Sequence, residues 1–293
     1  MKKDQIETLG IHLLDCQPNA VVRYRLLRDV LQIPSDSKEL VTARQHLLEH
    51  PWVIQLAREQ GANGAWGRFH TQDTKIKTGF ITCEHAIRRA LALGLDRDTP
   101  VLAKAVEYMV KVLNGEAVWS DRVEKSEGRP IGVEAITAAT LAQVDPDHPA
   151  VGSVREYSVR VANRCFPNGV YSPEAEWAAH KELRGIGIRF IRSAYVLILL
   201  SSRSTPLPVD LEQKIINWIW HESRGNGYLG IDLQLPSTRS VLPWLKSLEI
   251  LSPYSTFRKM STTAIDWCQP KELRGFMGFR SQDERPGLFS SFG

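Results

Sequence analysis

Glu176 and His180 stand four residues apart in Pro173-Glu-Ala-Glu-Trp-Ala-Ala-His, which puts a carboxylate and an imidazole on one face of a helical turn. Such a pair suits acid–base chemistry or two ligands of a divalent metal, and a plain surface contact is the alternative. His70 and Asp73, in Gly67-Arg-Phe-His-Thr-Gln-Asp-Thr-Lys75, are of the right types to complete such a site. Two more carboxylates stand out by context. Glu84 in Thr82-Cys-Glu-His85 and Glu134 in Gly132-Val-Glu-Ala135 each lie near the start of an otherwise apolar helical run. Buried there, a carboxyl gains a raised pKa and serves as general acid or base; negative charge at a helix N-terminus explains the placement equally well.

Other chemistries lack their signatures. There is no GxSxG or P-loop, and Cys16, Cys83, Cys165 and Cys268 show no CxxC spacing, which speaks against a disulfide framework or a cysteine zinc site. Trp52, Trp177, Trp218, Trp220, Trp244 and Trp267 fall at helical positions and read as core packing.

What must position the six residues is a repeat. Asp96, Asp98 and Pro100 recur 49 residues later as Asp145, Asp147 and Pro149, each time between an apolar helical run and a second helix. Proline in a first turn after Asp or Thr is a helix start, so the Asp pairs read as caps in short, exposed loops. A second marker, a Gly/Asn turn followed by an aromatic, gives Trp66, Trp119, Tyr171, Tyr228 and Phe276, spaced 53, 52, 57 and 48 apart. Laid between the markers, one helix set covers roughly 21–32, 77–94, 131–143, 188–202 and 237–251 and is apolar on more than one face. The other covers roughly 3–15, 38–58, 100–113, 150–164, 209–221 and 257–268 and carries a charged stripe. The expectation is an all-α single domain over 1–293, an α/α toroid of five to six helix pairs with these as inner and outer rings, and an irregular tail over 270–293. An open α-solenoid is the structural rival.

Loops that follow the aromatic markers emerge at one end of such a barrel, and they are long and rich in ionisable groups, as in Ser120-Asp-Arg-Val-Glu-Lys-Ser-Glu127. His70, Asp73, Glu84, Glu134, Glu176 and His180 are therefore expected to converge on one mouth. Composition bounds the rest. A net charge of +4 with no basic block carrying interleaved aromatics gives no reason to invoke nucleic acid. The most apolar stretch, 194–200, is far too short for a membrane span, and charge interrupts the N-terminal MKKDQIETLGIHLLDC, so a cytoplasmic location is expected.

Gln60-x3-Gly64-x-Trp66 resembles the ending of the QW motif of squalene–hopene cyclases, and the other aromatic turns resemble it in degraded form. With the 50-residue helix-pair spacing, most of the chain resembles the terpene cyclase/protein prenyltransferase toroid superfamily, and most of all its small bacterial members with squalene-cyclase-type repeats. The resemblance implies a central cavity for an apolar or isoprenoid-like small molecule. It carries over no catalytic residue: the cyclase DxDD motif is matched only by Asp145-Pro-Asp-His148, which the repeat explains as caps, DDxxD is absent, and no Asp/Cys/His zinc trio is found. The function expected is an enzyme that binds such a molecule and performs acid–base chemistry at the mouth. The alternatives are a non-catalytic helical-repeat module binding a peptide or protein, and a metal-dependent enzyme using Glu176 and His180.

Overall fold

The helices begin where the sequence supplies caps. Asn19, Ser37, Thr82, Ser172 and Ser193 each accept a hydrogen bond from a backbone N–H of the first helical turn, two or three residues on. Pro51, Pro100, Pro149 and Pro173 occupy first helical positions, where a missing N–H costs nothing. The computed structural model describes residues 3–71, 79–80, 82–121, 128–202, 205–222 and 241–261. Among them every regular element is helical and no strand occurs.

They form two units, 1–123 and 124–293. The first holds α1 (Lys3–Asp15), α2 (Ala20–Arg25, running into a π-turn at Leu26–Val30), α3 (Lys38–Leu48), α4 (Pro51–Glu59), α5 (Cys83–Leu93) and α6 (Pro100–Leu113). Its core includes Leu56, Phe69, Phe80, Ile87, Leu102 and Met109, all almost fully buried. The second holds α7 (Arg129–Val144), α8 (Pro149–Arg164), α9 (Pro173–Arg184), α10 (Ala194–Ser201), α11 (Val209–Glu222), α12 (Val241–Leu251) and α13 (Ser255–Met260). Its core runs from Ile131 on α7 through Tyr157, Leu197 and Ile215 to Trp244 and Phe257.

The 49-residue repeat is present as geometry, and it has a third copy. The first-turn bonds Val53 N–H to His50 O, Leu102 N–H to Thr99 O and Val151 N–H to His148 O are all 2.9 Å, at three prolines 49 apart. In two copies the cap is a histidine: the Nδ1 atoms of His50 and His148 accept from Trp52 N and Ala150 N at 3.3 and 3.2 Å. Pro51 therefore divides the segment expected as one helix over 38–58 into α3 and α4. The other differences are local. The segment expected to be helical from 77 enters its helix at Cys83, where Arg68 and Phe69 carbonyls accept the Cys83 and Glu84 N–H groups. The run expected from 188 begins at Ala194, because Pro173–Arg184 forms a complete helix of its own ahead of it. Asp147 is exposed as expected, whereas Asp145 is buried: it caps α7, and its carbonyl accepts the His148 N–H at 3.2 Å. Trp218, Trp220 and Trp244 pack in the core, but Trp52 and Trp177 are about two-fifths exposed. Tyr228, Trp267, Phe276 and the 270–293 tail lie outside the described residues.

The Gln60–Trp66 turn is a clasp between α4 and α6. The Gln60 amide Nε2 donates to Gly64 O at 2.9 Å and to Val101 O at 2.7 Å, and Trp66 Nε1 donates back to Leu56 O at 2.9 Å. Gly64 has φ +88, and a Cβ there would stand 2.3 Å from Lys104 O, so glycine alone lets the turn lie on the α6 backbone. The later markers also stack, Trp119 on Phe69 (4.4 Å between centroids) and Tyr171 on Trp218 of α11 (4.0 Å). The Gly64→Ala variant is expected to lose about 2 kcal/mol or more, read as a clear fall in Tm. Gly115→Ala, with φ +75 and nothing within 4 Å of a new Cβ, should lose only the backbone part, about 1 kcal/mol. Equal losses would show that the close approach to Lys104 does not matter.

Candidate functional site

The residues singled out in the sequence fall into two groups, one within each unit. In the first, Thr82 caps α5 so that Glu84 sits in its first turn with a side chain only 6% exposed. Its Oε2 lies 2.9 Å from His70 Nδ1, and Arg88, one turn on, stands 3.6 Å from Oε1. The loop carrying His70 is pinned by Asp121, whose carboxylate accepts the His70 and Thr71 N–H groups at 3.1–3.2 Å. Loops following two successive aromatic markers thus meet within the first unit. The hydrogen bond to Glu84 raises the His70 pKa above 6.5; burial opposes this, and the Glu84 and Asp121 charges add to it. Asp73 lies outside the described residues.

In the second unit Ser172 and Pro173 start α9 and set Glu176 and His180 facing inward, 0% and 4% exposed. Glu176 Oε1 accepts the backbone N–H groups of Phe190 and, at 2.6 Å, Ile191; Oε2 accepts the Tyr171 hydroxyl at 2.6 Å. Burial alone would push this carboxyl up, but the donors His180, Tyr171, Ile191 and Phe190 outweigh it and hold its pKa below 4.5. His180 Nδ1 is 2.5 Å from the Tyr157 hydroxyl on α8. Burial pushes that phenol up to about 12, so it is protonated at neutral pH, and where it donates to Nδ1 a ring proton sits on Nε2. His180 Nε2 is 3.8 Å from Glu176 Oε1, an ion-pair contact too long for a hydrogen bond.

Glu134 comes from α7, and both its oxygens take the Arg184 guanidinium, at 3.2 and 3.0 Å. Arg184 in turn lies 4.7 Å from the centroid of the Tyr157 ring. Glu134, Tyr157 and His180 line one small cavity with Ile131, Ala135 and Val161, of about 10 Å³. A carboxylate, an imidazole and a phenol thus line one largely apolar pocket. A metal does not fit at Glu176 and His180. Both carboxylate oxygens are taken up by protein donors, and no group of three His, Cys, Asp or Glu gathers among the described residues.

Asp121, Tyr157 and Tyr171 are the functional neighbours that the sequence did not single out. Asp121 was one acid among several in a polar loop, and Tyr171 had been read as a packing ring only. Tyr157 falls at the repeat position that Tyr108 occupies 49 residues earlier, so it reads as framework. Two of the thiols are inert: Cys83 and Cys165 are fully buried, and burial pushes Cys83 up to about 12 and Cys165 higher still.

Two pH dependences of opposite sign follow. Because the folded pKa of Glu176 lies below its unfolded value, its contribution is complete above about pH 4.5 and is lost as pH falls through the folded pKa. The wild type should exceed Glu176→Gln by about 3 kcal/mol in urea unfolding at pH 7, and the gap should narrow at acid pH. His70 is raised, so its contribution is complete below about pH 6.5 and is lost as pH rises through the folded pKa. The stability difference between wild type and His70→Gln should therefore shrink from pH 6 to pH 8; a constant difference would mean the Glu84 bond is not charge-dependent. Compared with known proteins, the chain matches no family model, no curated protein and no solved structure.

Proposed function

We propose that this chain is an enzyme that takes an apolar, isoprenoid-like small molecule and moves a proton on it, within an α/α-toroid framework like that of the terpene cyclases and protein prenyltransferases. The framework rests on the three prolines in 49-residue register and on the Gln60–Trp66 clasp. One observation carries the chemistry: the buried series Glu176, His180 and Tyr157, with 3.8 Å and 2.5 Å between successive polar atoms.

In that series Tyr157 is the group that meets the substrate. As its oxygen accepts a proton from an acidic C–H or O–H, its own proton passes to His180 Nδ1. The imidazolium so formed faces the ionised Glu176, which cannot swing away because Phe190 and Ile191 hold it. Arg184 over the ring steadies the phenolate character that develops. Run in reverse, the same groups deliver a proton. Since DxDD and DDxxD are absent, the acid–base element differs from those of the proteins the repeat resembles. A peptide-binding helical-repeat module is the second reading, favoured by the exposed Trp52 and Trp177, each with a cation on its ring (Arg89 and Lys181).

The test is incubation in deuterium oxide with farnesol, geranylgeraniol and their aldehydes, with label uptake read by mass spectrometry. Uptake is expected, and Tyr157→Phe and His180→Gln should each cut its rate by about 100-fold with Tm nearly unchanged. No uptake by any of these compounds, or variants that lose stability alone, would sink the enzymatic reading and leave the binding module.

A further inference from the structure

His180 Nε2 is buried and has no hydrogen-bond partner in the protein, although a carboxylate stands 3.8 Å away. The reason is visible. Glu176 Oε1 is tied to the Phe190 and Ile191 N–H groups and Oε2 to Tyr171, so the carboxylate cannot move up to the ring. Nor can the ring tilt toward it freely, since Nδ1 is held by Tyr157. A buried polar nitrogen left in this way points to a bound water where space allows one. Space is there: His180 lines the cavity of about 10 Å³, the size of one water molecule, and Tyr157, Ser158 and Glu134 line it too and supply further polar partners.

We propose that one water molecule is held in this cavity by His180 Nε2 and passes protons between the buried imidazole and the Glu134 carboxylate. Glu134 suits the outer position because its side chain is 32% exposed, in a pair with Arg184 at 42%, so it meets solvent directly. The other charged or titratable groups around the imidazole are Tyr157 from α8, Glu176 and Arg184 from α9, and Tyr171 from the turn before it. Glu176 is sealed from solvent and bonded to Tyr171, and a guanidinium gives up no proton at neutral pH, which leaves Glu134, whose carboxylate keeps lone pairs beyond the two that Arg184 takes, as the exit for a proton. The water itself rests on geometry alone. The role of Glu134 rests on the acid–base reading, for which it takes the proton that discharges the His180 imidazolium.

Nuclear magnetic resonance on protein labelled with ¹⁵N-histidine tests both parts without any substrate. The His180 Nε2–H resonance is expected to show a rotating-frame Overhauser cross-peak to water, of the sign given by a long-lived bound molecule. Val196→Ile, which adds about one methylene to the cavity wall, should remove that cross-peak while the Nε2–H resonance persists. Glu134→Gln should keep the cross-peak and slow exchange of the Nε2 proton with solvent by about tenfold. A wild-type Nε2–H with no water contact, or one exchanging as fast as an exposed histidine, overturns the bound water. Unchanged exchange in Glu134→Gln overturns the route. Water found without any deuterium uptake by substrates would defeat the enzymatic reading and leave the bound water alone standing.

Discussion

A carboxylate taken wholly out of water stays ionised only where donors replace its hydration shell, and Glu176 meets three of them. That requirement organises much of the second unit. Two of the donors are consecutive backbone N–H groups, so the chain leaving α9 must return to it at Phe190 and Ile191 before α10 can begin. The third is Tyr171, which fixes the entry to α9 from the other side and presses its ring on Trp218. His180, one helical turn along and 3.8 Å from the carboxylate, is thereby presented to Tyr157. Remove the charge and the loop, the aromatic turn and the imidazole all lose a common anchor.

The first unit solves a related problem with less burial. Asp121 gathers the backbone N–H groups of His70 and Thr71, and Glu84 gathers the imidazole. There the histidine ring stays about one-third exposed, so its proton reaches solvent directly. The two units therefore show the same pairing of histidine with carboxylate in two dielectric settings. In the buried one the carboxyl pKa falls below its ordinary value, and in the open one the imidazole pKa rises above its own.

Much of the helical framework was legible because helix starts are local. Proline at a first turn and a Ser, Thr or Asn before it can be read without knowing what the helix packs against, and the expected bounds 3–15, 100–113, 150–164 and 209–221 match the helices to within one residue. The break at Pro51 was missed for the opposite reason: His50, which caps α4 through its ring, belongs to no short rule for helix starts, and no Asp pair marks that copy. The candidate site divides the same way. Glu176 and His180 were visible as neighbours on one helical face, because that is a property of spacing. Tyr157 and Asp121 were not, since their role arises from contacts 23 and about 50 residues away in the chain. Asp145 shows the limit of reading a repeat as solvated loops, since equivalent positions in two copies need not share burial.

The placement of the thiols has a practical side. Cys83 lies in the first unit and Cys165 in the second, both sealed from solvent, while Cys16 on the far end of the chain is exposed. An alkylating reagent will mark Cys16 at once and reach each sealed thiol only when its own unit opens. Among the described residues the chain thus carries two internal clocks, one per unit, and the order in which Cys83 and Cys165 are marked during slow labelling tells whether the halves open together or one ahead of the other.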